Sequence, residues 1–144
     1  MFRKLTPLLA VVLLFACAVT YYAPHDAETE TKLMALQSKA EFFYQTTATE
    51  LEAERSLSLE TQNRFYGETQ EILGNLQNKA ESYLNNKDTV HELALLRESF
   101  DIAQDLQAHG FRVLDEVLLI QKAMDSHFRA LLSLERAKPQ RRDR

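Results

Sequence analysis

An all-α fold is what this sequence predicts: an N-terminal membrane or signal segment leading into an antiparallel bundle of three long helices, four if the chain breaks at Gly110. Three observations lead there. Only three Gly and three Pro punctuate 144 residues rich in Ala, Leu, Glu and Gln, which favours helix and leaves few of the turn residues that short strands require. From residue 26 onward apolar side chains recur at spacings of three and four, the mark of helices with one buried stripe. The single long uncharged stretch, Leu5 to Ala23, comes after Arg3 and Lys4, and a basic flank retained in the cytoplasm sends the downstream chain outward. The roughly 120 residues beyond that stretch suffice for one modest core.

Residues 1–24 are the signal peptide or membrane anchor, 25–136 the bundle and 137–144 a basic disordered tail that Pro139 keeps out of helix. Asp26 caps a first helix, with Glu28 and Glu30 in its first turn where the helix dipole favours them. Its stripe is Leu33, Leu36, Ala40, Phe43, Thr47 and Leu51, and it ends near Arg55, with Ser56 and Ser58 as candidate caps for the next helix. That second helix runs from about Leu59 to Leu84 on Leu59, Tyr66, Thr69, Leu73, Leu76, Ala80 and Tyr83. Gly67 and Gly74 lie beside that stripe, which suggests close helix approach. Asn85-Asn86-Lys87-Asp88 is the clearest turn, and Thr89-Val90-His91-Glu92 has the form of a capping box opening a third helix. From Leu93 a heptad continues through Leu96, Phe100, Ala103, Gln107, Gly110, Leu114, Val117, Gln121, Met124, Phe128 and Leu131. Helix therefore extends to about Arg136, roughly 70 Å if unbroken. Gly110 is a possible stop, yet no Ser, Thr, Asn or Asp comes after it to cap a fourth helix, and continuity is expected.

Within the N-terminal stretch, Leu14-Phe15-Ala16-Cys17 resembles the lipobox of bacterial lipoproteins, where a leucine stands three places before the cysteine and a small residue immediately before it. Leu14, Ala16 and Cys17 match; Phe15 is bulkier than the usual occupant of its place. The resemblance implies cleavage before Cys17 and lipidation of that residue. It covers about 17 residues and names a processing class, not a function. Read continuously, Leu5 to Ala23 also spans roughly the 30 Å hydrocarbon core, with Tyr21 and Tyr22 at the depth of an aromatic belt, as an uncleaved signal anchor would. Cleavage after Ala16 or Ala18 with release is a third outcome.

Catalytic motifs are absent: no G-x-S-x-G, P-loop, H-E-x-x-H or C-x-x-C-H occurs. Cys17 is the only cysteine, so thiolates supply neither a disulfide within the chain nor a metal cluster. Residues 26–60 carry eight acids against three bases, the opposite of a nucleic-acid-binding face. The last ten residues carry five bases against two acids, a solvated end or an attraction to anionic headgroups. His91, His109 and His127 are 18 residues apart, one face of a straight helix but about 27 Å from one another. A thioether–imidazole site would need Met124 and His127 with Met34 or His25. A di-iron site would need two Glu-x-x-His units, and only Asp88-x-x-His91 comes near.

A continuous third helix would protrude with more apolar surface between Phe111 and Leu134 than one partner stripe covers. That places a second copy or another protein on Leu118 and Leu132. The sequence thus reads as a non-enzymatic, cofactor-free, membrane-tethered protein of the cell envelope. Its bundle would lie on the periplasmic or extracytoplasmic side as a scaffold or protein-binding module. The alternative is a small-ligand or metal-binding periplasmic sensor or carrier.

Overall fold

The computed structural model describes residues 23–140. They form four helices, α1 (Ala27–Glu52), α2 (Leu59–Glu81), α3 (Lys87–Ala108) and α4 (Leu114–Ala137). The expectations about Cys17, the uncharged stretch up to Tyr22 and the final arginines fall outside the described residues. No helix among the described residues is long and apolar enough to cross a membrane.

Helices adjacent in the cycle α1, α2, α3, α4 and back to α1 pack together, while the backbones of diagonal pairs do not approach. The bundle runs up-down-up-down. Its proximal end holds Ala23, the 82–86 turn and Pro139; its distal end holds the 53–58 and 109–113 connections.

Each helix end has a local cause. Asp26 opens α1, its carboxylate accepting the Glu28 N–H at 3.2 Å and the Thr29 hydroxyl at 2.7 Å. The other end of α1 stops without Gly or Pro: Glu54 takes φ 56, letting the Arg55 N–H reach Glu50 O at 2.8 Å. That left-handed glutamate costs about 1 kcal/mol, and across the same turn the Arg55 guanidinium contacts the Glu50 carboxylate at 2.8 and 3.1 Å. Ser58 opens α2 as expected, accepting the Thr61 N–H. Between α2 and α3, Asn85 adopts φ 58 and the Asn86 side chain donates to Ala80 O at 3.0 Å, joining the Tyr83 N–H at 3.3 Å on that carbonyl.

Two expectations are corrected by these helix ends. The third helix does not continue through Gly110. That residue has φ +81, and its N–H closes on Gln107 O at 3.0 Å, a C-terminal stop in which glycine carries no Cβ penalty. The new helix α4 has no side-chain cap at Val113. Instead Asp115 and Glu116 occupy its first turn, and the Glu116 carboxylate reaches back to the Arg112 N–H at 2.8 Å. The capping box is also not formed: α3 starts at Lys87 after Asn86, Thr89 is buried, and Glu92 turns to His127 on α4.

The stripes broaden because every helix faces two neighbours. Tyr44 and Phe65 join the expected core positions, while Leu59 lies 70% exposed in the first turn of α2. Leucines 33, 36, 73, 76, 93, 96, 131 and 132 fill the proximal half. Aromatic rings fill the distal half and reach the middle of the bundle: Phe43 stacks on Phe65 with centroids 3.7 Å apart, and the series Phe65, Phe100 and Phe128 continues at 6.0 and 6.4 Å. Tyr66 spends its hydroxyl proton on Gln107 Oε1 at 2.7 Å, so the Tyr44 hydroxyl is the donor toward Tyr66 at 3.3 Å. Burial raises both phenols, Tyr66 to about 12.

Gly67 and Gly74 are not sites of close helix approach, because a Cβ at either would meet nothing within 4 Å. Replacing either by Ala should therefore stabilise the fold by up to about 1 kcal/mol, whereas Gly110→Ala should cost about 1 kcal/mol through its positive φ. Urea midpoints of the three variants, read by circular dichroism, test these opposite signs.

Candidate functional site

Three features of the surface invite a functional reading: a polar clasp at the proximal end, a groove between α1 and α4, and exposed apolar side chains toward the distal end.

The clasp is built on Glu135, which is only 1% exposed. It continues the inward register of α4 one turn beyond Leu131 and brings a carboxylate to the end of the core. Burying that charge is tolerable only with partners. Its Oε1 accepts the Asp26 N–H at 2.8 Å and its Oε2 pairs with Lys138 at 2.5 Å. Its backbone carbonyl lies 3.1 Å from His25 Nδ1, and the His25 N–H donates to Pro139 O at 2.9 Å. Around this centre Lys79 of α2 bridges Asp26 and Glu28, and Arg136 contacts Glu30 at 2.6 Å. Partial burial pushes the Asp26 carboxyl up, but the Lys79 ammonium and the Thr29 and Glu28 donors outweigh it and hold the group at about 2. The hydrogen bonds to Asp26 and Glu28 push Lys79 up to about 12. Residues 23–26 are thereby fastened to α2 and α4.

The groove has a volume of about 500 Å3, with Ala40, Tyr44, Met124 and Phe128 beneath and Gln37, Lys122, Asp125, Arg129 and Leu118 around it. Its polar wall is internally engaged, Gln37 donating to Asp125 at 2.9 Å and Asp125 pairing with Arg129 at 2.6 Å. Leu118, expected at a partner contact, is 47% exposed on this wall. Leu132 is not beside it. At 8% exposed it belongs to the core, because the reversal at Gly110 lays α4 between α1 and α3 rather than leaving it protruding.

Among the described residues the large apolar exposures are unevenly placed. Phe42 (72% exposed), Leu59, Ile102, Leu106, Val113, Leu118 and Leu119 lie in the distal half, against Met34 and Leu84 in the proximal half. Phe42 also borders a smaller, nearly all-apolar cleft of about 280 Å3 between α1 and α2, with Leu57, Thr61 and Phe65.

The metal-ligand combinations weighed from the sequence are not assembled. Met124 is buried in the core, His127 Nδ1 sits 2.5 Å from Glu92 Oε1, and His25 is held at the clasp. His109 ends α3 against Asp105 O, and His91 is exposed in the first part of that helix. Among the described residues no group of three or more His, Cys, Asp or Glu is placed to hold a metal ion. Sequence reasoning missed Glu135, His25 and Lys79 as a unit. The one signal was a glutamate on the heptad position after Leu131. No family model, curated protein or solved structure matches this chain.

Leu132→Glu places a charge in the core and should cost at least about 3 kcal/mol, while Leu118→Glu should change stability by no more than about 0.5 kcal/mol; denaturant titration of both variants separates them. Because the folded-state pKa of Asp26 lies below its ordinary value, its contribution is present above about pH 4 and lost as pH falls toward 2. The wild type should lose on the order of 1 kcal/mol more than Asp26→Asn over that interval, after allowance for solvent at this rim position. Thermal unfolding of both proteins across the same pH range measures the difference.

Proposed function

We propose that this protein is a membrane-tethered component of the cell envelope whose bundle binds another protein and performs no chemistry of its own. The observation that carries the reading is the placement of exposed apolar side chains away from the end where the N-terminal segment departs. Scattered single exposures are ordinary on a protein surface. A bias of Phe42, Leu59, Ile102, Leu106, Val113 and Leu119 toward one end is what a tethered module offers to a partner beyond the membrane. Supporting it from the sequence are Arg3 and Lys4 before an uncharged stretch, and the lipobox-like Leu14-Phe15-Ala16-Cys17. On this reading Cys17 carries lipid or the uncharged stretch spans the bilayer, and the bundle lies on the periplasmic or extracytoplasmic side.

A photo-crosslinking residue at Leu59, Leu106 or Leu119, in cells carrying the full chain in native membranes, should yield the same discrete heavier species. The same residue at Met34 or Leu84 should not. Distal positions that give no adduct, or adducts indistinguishable from the proximal ones, would overturn the reading.

A further inference from the structure

The seam between α1 and α2 is the least extensively packed of the four in the bundle. Toward the distal end it opens into the apolar cleft of about 280 Å3, whose floor is the stacked pair Phe43 and Phe65. Lys39 pairs with Glu68 across one end of the cleft, and Leu57, Thr46 and Thr61 line the other. Phe42, 72% exposed, stands at its lip. Arg64 lines the same mouth, and its one ion-pair contact among the described residues, to exposed Glu60, is 3.7 Å, beyond hydrogen-bond length. Phe42 also belongs to a row spaced by four and three along the outward face of α1: Thr31, Ala35, Ser38, Phe42, Gln45 and Thr49. All six are exposed and none is charged, although 26% of the chain is charged and an outward helix face ordinarily carries such residues. An apolar knob and an apolar hole thus lie side by side. They also share one level, because Lys39 meets Glu68 and Phe43 meets Phe65, which sets Phe42 beside residues 65–68 of α2.

We infer that a second copy of this chain docks on this face, with Phe42 of each copy seated in the cleft of the other. The inference rests on the proposed membrane tether for its orientation: two copies rooted in one membrane stand parallel, and their two-fold axis runs along the bundle. Such an axis keeps every residue at its own level and sets α1 of each copy against α2 of the other. Phe42 therefore arrives opposite the second copy's cleft, above Phe43 and Phe65 and within reach of Arg64, whose guanidinium is suited to an aromatic face. The rim charges are self-complementary, Lys39 and Glu68 of one copy meeting Glu68 and Lys39 of the other. The uncharged row lets the two α1 helices approach without burying an unpaired charge. Confinement to one membrane raises the effective concentration, so a small face suffices. Leu106 on α3 and Leu119 on α4 stay uncovered for a further protein.

In cells carrying two differently tagged full-length chains, a benzophenone amino acid replaces Phe42 in one of them. Illumination should give an adduct of twice the chain mass that carries both tags and is cross-linked to residues 43–46 or 57–68 of the other copy. Its yield should fall about tenfold when the other copy carries Thr46→Arg, whose side chain crosses the cleft, while circular dichroism of that purified variant shows unchanged helix. The cross-link map stands independently of the variant. No two-tag adduct, one that maps elsewhere, or a yield unmoved by Thr46→Arg in a folded chain overturns the dimer and leaves the membrane reading standing, as does an adduct with a different protein alone. Recovery of the chain in the soluble fraction overturns the membrane reading, and the same map still decides the dimer.

Discussion

The bundle depends on the reversal of the chain at Gly110. α4 lies between α1 and α3 and makes the two most extensive helix–helix contacts among the described residues. Without the positive φ at Gly110 the apolar faces of α1 and α3 would each lack a neighbour, and Val117, Met124, Phe128 and Leu131 would project into solvent. At about 25 cal/mol per Å2 of apolar surface, exposing those four side chains costs several kcal/mol. That is a large part of the stability of any domain this size. The tight turn is therefore favoured by burial, and the missing N-cap at Val113 is a minor cost beside it.

A second constraint acts at the opposite end. Glu135 occupies an inward position where burial of a bare carboxylate would be prohibitive, and its neighbourhood is arranged around that charge. A backbone N–H from the N-terminal junction and the Lys138 ammonium satisfy its two oxygens. The clasp fixes residues 23–26 on the bundle, so the junction is not a loose spacer.

The two ends differ in character. The proximal end is polar and cross-linked by ion pairs, and both ends of the described chain lie there. The distal end is connected by short turns and carries most of the exposed large apolar side chains among the described residues. In the groove between α1 and α4, Gln37, Asp125 and Arg129 are bonded to one another. Among the described residues the bundle thus has one end rich in ion pairs and one end with more exposed apolar side chains.

Periodicity by itself determined the helical class and most of the interior. Leu33, Leu36, Ala40, Phe43, Thr47, Tyr66, Thr69, Leu73, Leu76, Leu93, Leu96, Phe100, Ala103, Val117, Met124, Phe128 and Leu131 are buried where the spacing places them. Asp26 and Ser58 cap where side-chain chemistry indicates. Local pattern was silent or misleading where two local options differ little and a distant surface chooses between them. Gly110 fits a heptad and a stop equally well, and only the gain from laying α4 between α1 and α3 selects the stop. Thr89 and Glu92 satisfy the capping-box pattern, but burial claims the first and His127 the second. Leu132 and Leu118 read alike as surplus apolar positions, and tertiary packing puts one in the core and leaves the other at its edge. A helix dictates its own face from spacing alone; how many neighbours that face meets is decided by the whole chain, because burial is a property of pairs of surfaces.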